Sequence, residues 1–459
     1  MDHEHKQGSD TADHQATAGR FDRRRLLAGG AVLGAGVAGA SSFAGLHAAA
    51  RQASATPASG AAVTPSADVA ASTSQVAAAA EAFLATLDDD QRGAVAHPYP
   101  ADQTVAAAAD FGGRLGEQFG EAVWSNYPVS DVIRPGLRLG ELSDDQRAAA
   151  MRLLETTLSP TGYRKVLDIM DADEVLSSGG TNYESGKGSY LLAIFGAPSE
   201  TDRWMWELGG HHLGLNVTLQ GGQQTLAPML TGCQPATFAD SQGDTVRPLG
   251  AEIDDGFALV NALDVGQQAQ AILGYAQGDL VLGPGHDGQV LQPEGIAGAD
   301  LNADQQGLLL KVVGNWVGIL DDAAAQAKMA DVASRIAETY FAWSGETAPG
   351  SASYYRVTGP TIVIEFSPQG AMGGPGGAGG PGGAGGPDAQ GSPRAGGPQG
   401  QGPGAEGTPQ AGGQAAQTTG AQASPQAGGD ATAASTGGID HIHTIYRDPT
   451  NEYGTGFGA

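Results

Sequence analysis

The sequence predicts an α+β fold, an antiparallel sheet flanked by helices. Three observations carry that expectation. Helix starts with capping-box spacing introduce apolar runs of helical period. Short apolar runs and hairpin signals cluster at 188–238 and again at 353–366. Helical and strand runs group together instead of alternating strand by strand, the pattern of segregated α+β architecture.

Taken in order, "LDDDQ" (87–91), "LSDDQ" (142–146) and "LNADQ" (301–305) each place Asp, Ser or Asn three residues ahead of Gln. The first side chain takes an orphan backbone N–H and the Gln reaches back to the cap. The helices expected from these signals and from apolar period are 146–158, 162–176, 305–320 and 323–343. Strands are expected at "SYLLAIFG" (189–196) and as one long extended run, "RWMWELGGHHLGLNVTLQ" (203–220). "QGG" then turns the chain into 223–230, with Pro228 favouring an edge. A second β region comprises 353–359, 361–366 and 441–448.

The boundaries follow from composition. Residues 1–55 read as a twin-arginine-like export signal, with Arg24-Arg25-Leu26-Leu27 ahead of a weakly apolar run ending in Ala53-Ser54-Ala55. Residues 56–73 read as a flexible leader. Ser367 to Gly438 holds no Leu, Ile, Val, Phe, Tyr or Trp and four charges, a composition that cannot bury apolar surface, so 367–438 is expected to be a disordered insertion. The globular domain is then 74–366 plus 439–459, one domain or two abutting lobes. The turn of a hairpin between "TIVIEF" and "HIHTIYRD" would be expanded by the insertion. That costs little, because loop closure rises by only about 0.6 kcal/mol per doubling of length.

Charge excludes some partners. The chain carries a formal net charge of −27, which repels nucleic-acid phosphates and anionic lipid. Past the signal, no stretch approaches the run of roughly 18 apolar residues that spans a membrane. Cys233 is the only cysteine, so no intrachain disulfide is available.

The chemistry-bearing residues fall in two clusters. His441 and His443, two apart on a strand, share a face, and Glu365 on "TIVIEF" lies opposite an apolar face formed by Ile362, Ile364 and Phe366. Two imidazoles and a carboxylate from adjacent strands suit zinc, iron or copper. The second cluster, "WMWELGGHHLGLN" (204–216), holds His211 and His212. His211 is expected to be the third imidazole and His212 the reserve ligand, with Gly209-Gly210 able to form a bulge. Glu207 is the candidate general base. Arg447 is a candidate for holding a carboxylate or phosphate of a ligand. The ordinary reading of each is also open: polar-face histidines bonded to Glu365 or solvent, a hydrogen-bonded core His211, and Arg447 in a strand-closing turn. His286 and His97 read as loop histidines. The chain contains no GxSxG elbow, HExxH, P-loop or strand-GxGxxG-helix unit.

In "FLATLDDDQRGAV", "LSDDQRAAAMRLLETTLSPTGY", "WMWELGGHHLGLNVT", "YYRVTGPTIVIEF" and "DHIHTIYRDPTNEYG" the chain resembles the bacterial domain of unknown function family 3500. The resemblance spans roughly 80–366 and 439–454, implies that members are often exported, and implies no activity. Relatives have a short turn where this chain has its Gly/Pro-rich insertion.

Three functions are therefore open: an exported hydrolase using a divalent metal ion such as zinc, an iron or copper redox enzyme on the same ligands, or a non-catalytic extracytoplasmic protein binding a small molecule.

Overall fold

The structure, a computed structural model, describes residues 67–103, 119–369 and 439–458. The expected signal and insertion (1–55 and all but the first residues of 367–438) lie outside the described residues. The expected leader does not hold throughout: helix α1 (Ala67–Ala85) begins inside it, because Val76, Ala80 and Phe83, at helical spacing, are fully buried.

After α1 come α2 (Asp89–Val95), β1 (Ala96–His97), β2 (Leu137–Arg138), α3 (Asp144–Thr157) and α4 (Pro160–Ser178). Strands β3 (Leu191–Phe195), β4 (Trp204–Gly210), β5 (Leu213–Gln220), β6 (Gln223–Thr225) and β7 (Met229–Cys233) follow. A small ribbon, β8 (Phe238–Ala239) with β9 (Thr245–Val246), leads to a second series. That series is α5 (Gly250–Asn261), α6 (Val265–Ala271), β10 (Ile296–Ala297), α7 (Ala303–Val317) and α8 (Asp322–Ser334). It ends in β11 (Tyr340–Ser344), β12 (Tyr354–Gly359), β13 (Ile362–Gln369) and β14 (His441–Arg447).

The second series repeats the first. The main sheet has the order β1-β3-β4-β5-β7-β14-β13-β12-β11-β10, in which β3, β4, β5 and β7 answer to β11, β12, β13 and β14, and β2, antiparallel on β3, answers to β10, antiparallel on β11. In each half a helix of 12 or more residues is followed by a short capped helix, and a two-residue strand (β2 or β10) then leads through a 3-10 turn into a longer capped helix. The cap pairs are Asp88–Gln91 and Ser143–Gln146 in one half, and Asp264–Gln267 and Asn302–Gln305 in the other. Within each half the two cap glutamines bond to each other: Gln146 Nε2 donates to Gln91 Oε1 at 2.8 Å and Gln305 Nε2 to Gln267 Oε1 at 2.7 Å. The pairing at Asp264 is a fourth box of the same spacing that the sequence reading passed over.

Both faces of the sheet are covered. Helices bury one face, where Trp206, Leu215, Ile364, Phe366, Ile442 and Tyr446 join the main core. The other face is covered by irregular chain, with Trp124, Leu230, Leu282, Val363 and Ile445 in contact there. Strand β14 pairs antiparallel with β13 on one side and β7 on the other. The C-terminal strand is thus central, as a hairpin partner of β13, with 370–438 between them.

Three element expectations need correction. Residues 203–220 are two strands, not one, because β4 and β5 pair back on each other from Trp204↔Leu219 to Gly210↔Leu213. The expected helix 323–343 stops at Ser334, and "YFAWS" is strand β11, paired with β12 from Tyr340↔Thr358 to Ser344↔Tyr354. Its alternating aromatics suit a pleated surface better than a helix stripe. Pro228 stands at the break between β6 and β7, and β7 is an interior strand, not an edge.

Candidate metal centre

The site begins with the β4–β5 turn. Pairing of Gly210 with Leu213 leaves His211-His212 as a two-residue loop. Such turns demand a residue in the left-handed region, and His212 takes it with φ 64°. Glycine, Asn or Asp is the usual occupant, and an imidazole there costs roughly 1–2 kcal/mol. The surroundings are cut to fit it. A Cβ on Gly232 of β7 would meet the Ile442 carbonyl oxygen at 2.7 Å and His212 Cβ and Cδ2 at 3.3 Å, so glycine lets both β14 and the ring come close. The Gly232 N–H donates to the His212 carbonyl at 2.7 Å, and the Tyr190 hydroxyl to the His211 carbonyl at 2.7 Å.

Strand β14 brings the partners. His441 and His443, two apart, share the loop-covered face with Ile445 and Arg447. Opposite them on β7 and β13, His443 pairs with Gly232 and Ser367. His212 Nε2 lies 2.7 Å from His441 Nε2. The ring centroids of His212, His441 and His443 are 4.6–5.2 Å apart. One ligand nitrogen from each lies within 4.8 Å of the other two. Nitrogens sharing one tetrahedral zinc at about 2.0–2.1 Å sit roughly 3.3 Å apart, so a small ring rotation at the 2.7 Å contact gives that spacing.

Electrostatics favour the ligand form. Burial, reinforced by neighbouring imidazoles, holds His212 and His443 well below the ordinary histidine range, and takes His441 down to about 4. All three are therefore neutral near pH 7, with lone pairs free for a cation, the state in which imidazole binds metal. His212 and His443 are buried and His441 is half-buried, which leaves the cluster approachable from the His441 side.

His211 has a different task. Its Nδ1 lies 2.6 Å from Asp173 Oδ1 on α4, while Asp173 Oδ2 accepts from the Gly186 N–H at 2.8 Å. The His211 and His212 rings stack at 3.7 Å with planes 26° apart. Asp173, His211 and His212 also form a group compact enough for an ion. Stacked rings, however, project their lone pairs side by side, and metal lies in the plane of its imidazole. That trio works as a carboxylate–histidine pair backing a ligand. His212 thus belongs to both groups, with His441 and His443 on one side and with Asp173 and His211 on the other.

The structure does not bring the remaining candidates to the imidazoles. Glu365 shares a face with His443 but pairs with Ile445, one step further along β14. Its carboxylate is taken by the Val281 and Leu282 N–H groups and the Tyr354 hydroxyl, each at 2.7 Å. Glu207 sits four residues before His211 on β4, about 13 Å of strand at 3.3 Å per residue, and accepts from the Val123 N–H at 2.8 Å. Arg447 is buried, bonded to Glu452 and to the carbonyl of His286 at 3.0 Å, with its guanidinium 5.9 Å from the Trp124 ring. It braces the segment after β14 and presents no free fork to a ligand. His286 Nδ1 meets the Gly283 carbonyl at 3.1 Å, and His97 packs on Phe195.

Three site residues escaped the sequence reading. Asp173 falls at the spacing of Val166, Ile169 and Met170 on the buried stripe of α4, so an acid on an apolar stripe was the available signal. Asn126 places its amide nitrogen 3.3 Å from His443 Nδ1, and its carbonyl accepts from the His212 N–H at 3.4 Å. Buried Arg134 ties that loop to the turn, donating to the carbonyls of Ser125 at 2.8 Å and Gly210 at 3.2 Å, and to those of Tyr127 and Val132. Neither Asn126 nor Arg134 carries a spacing signal.

Among the described residues, no helix is long and apolar enough to cross a membrane. A family model described as a protein of unknown function, DUF3500, matches residues 69–379. No curated protein and no solved structure matches the chain.

Proposed function

This chain belongs to the DUF3500 family of proteins of unknown function, and we propose that it is a metal-dependent hydrolase whose ion is held by His212, His441 and His443. The observation that carries the reading is the convergence of three neutral imidazoles, one from a strained turn and two from a central strand. Three histidine ligands leave a coordination position open, the arrangement of catalytic zinc, where the ion polarises a scissile bond or activates water. An all-imidazole set suits zinc, copper, iron or nickel and disfavours magnesium and calcium, which take oxygen. The same donor set supports a copper or iron redox enzyme as the second reading. Asp173 holds His211 at its Nδ1, 2.6 Å away, and the His211 ring stacks on His212, which supports the orientation of that ligand. We extend the proposal to export, on the arginine-led segment of residues 1–55.

Metal analysis of the purified full chain tests it, beside the double variant His441→Ala/His443→Ala. One zinc per chain, lost in the double variant, supports the hydrolase. Stoichiometric copper or iron lost in the same variant transfers the site to redox chemistry. A wild-type chain that takes up no transition metal on reconstitution overturns both readings.

A further inference from the structure

A second constellation lies on the same loop-covered face, on β5 and β4, two and three strands away from β14, and contains no imidazole. Glu207 on β4 stands directly across from Asn216 on β5, and Thr218 is two residues further along β5 on the same face. All three side chains are buried to within 1 % of complete. Asn216 Nδ2 donates to the Pro228 carbonyl at 3.0 Å, which turns Oδ1 away from that contact. Glu207 spends Oε2 on the Val123 N–H. What remains is Glu207 Oε1, Asn216 Oδ1 and Thr218 Oγ1, three buried oxygens without a hydrogen-bond partner.

The roof over them is also oxygen-rich. The Tyr453 hydroxyl donates to Asp287 Oδ2 at 2.8 Å, and that carboxylate also accepts from Trp124 Nε1 and Gln103 Nε2, each at 2.9 Å. A Cβ on Gly454 would meet Thr218 Cγ2 at 2.6 Å, so the terminal segment lies directly on β5. Burial pushes the Glu207 carboxyl well above its ordinary range, with Asp287 adding to the rise and the Val123 N–H and Arg134 opposing it, and burial followed by Asp287 raises Tyr453.

We propose that a small hard cation of the sodium or calcium type is enclosed between β4–β5 and the 451–457 segment, bound by Glu207 Oε1, Asn216 Oδ1 and Thr218 Oγ1. Buried oxygens left without partners are costly, and a hard cation coordinates carboxylate, amide and hydroxyl oxygens together. An internal water has two hydrogens to give to three oxygens, whereas a cation is coordinated by all three. Carboxylate, amide and hydroxyl oxygens select hard ions, whereas the imidazole site selects softer ones. The inference therefore stands whether or not the three histidines hold a metal.

The test uses the purified full chain, stripped by chelator and kept in choline chloride. Thermal melts are then recorded on adding sodium chloride or calcium chloride at constant ionic strength. A saturating ion raises Tm by roughly 2–4 °C, and equilibrium dialysis finds one ion per wild-type chain. A response to sodium alone or to calcium alone assigns the ion. Thr218→Val and Glu207→Gln, both close in shape to the native side chains, abolish the response. The proposal fails if wild type shows neither a Tm shift nor a bound ion, or if both variants respond as wild type does. Should a variant not fold, dialysis on the wild-type chain decides alone.

Discussion

His212 holds its backbone where glycine is at home, with φ 64°. Strain of this kind persists only where the surroundings over-determine it, and it concentrates at functional sites. The Gly232 and Asn126 contacts are those surroundings. Two truncations separate strain from packing. His212→Ala and His212→Gly both delete the imidazole and differ only in tolerance of the left-handed region. The glycine variant is expected to be more stable than the alanine variant by about 1 kcal/mol in chemical denaturation. Equal stabilities would show that the turn imposes no cost on a side chain. The same residue shows why the site was only half legible. His441 and His443 announce a shared face by their spacing alone. The roles of His211 and His212 depend on a reversal between them, and "GGHHLG" has no Asn-Gly or Asp-Gly to mark it. Glu365 was placed on the right face of the right strand and missed by one pairing step, because register is set by the partner strands and not by the strand itself.

At the level of elements, the caps were the most readable feature. A capping box is a local device, with all its atoms within four residues, so sequence carries it whole. What sequence omits is that the boxes are joined in pairs. Gln305 is the tightest case: its Nε2 donates to the Ala262 carbonyl at 2.8 Å and to Gln267 Oε1 at 2.7 Å, while its Oε1 accepts from the Asn302 N–H at 3.0 Å. Gln305→Ala is expected to destabilise the chain by roughly 2–3 kcal/mol, more than an isolated cap at about 1. A loss below 1 kcal/mol in urea titration would deny the cross-link any weight. The misread element, 323–343, failed for the opposite reason. Its alanines extend a helical pattern up to the aromatics of β11, and only pairing with β12 decides that Tyr340–Ser344 is strand.

The whole molecule is a duplicated unit joined at β7–β14, and the three imidazoles belong to both halves: His212 to the first, His441 and His443 to the second. The α+β class was legible because helical and strand patterns segregate along the chain. The duplication was not, since the halves share element order and caps more than residues. Between β13 and β14 lies the segment 370–438. Replacing it with a turn of about 10 residues is expected to raise stability by roughly 1.7 kcal/mol through loop closure and to leave metal stoichiometry unchanged. Loss of folding on this deletion would assign the segment a structural duty.

The position of β14 also fixes an order of events in synthesis. Until β14 emerges, β7 and β13 are open edges at the middle of the sheet, the kind that recruit other chains. The first half holds a single one of the three ligands, His212. On the proposed metal reading, the three ligands come together only once β14 has joined β7 and β13, so a product lacking β14 keeps an open seam and one of the three imidazoles.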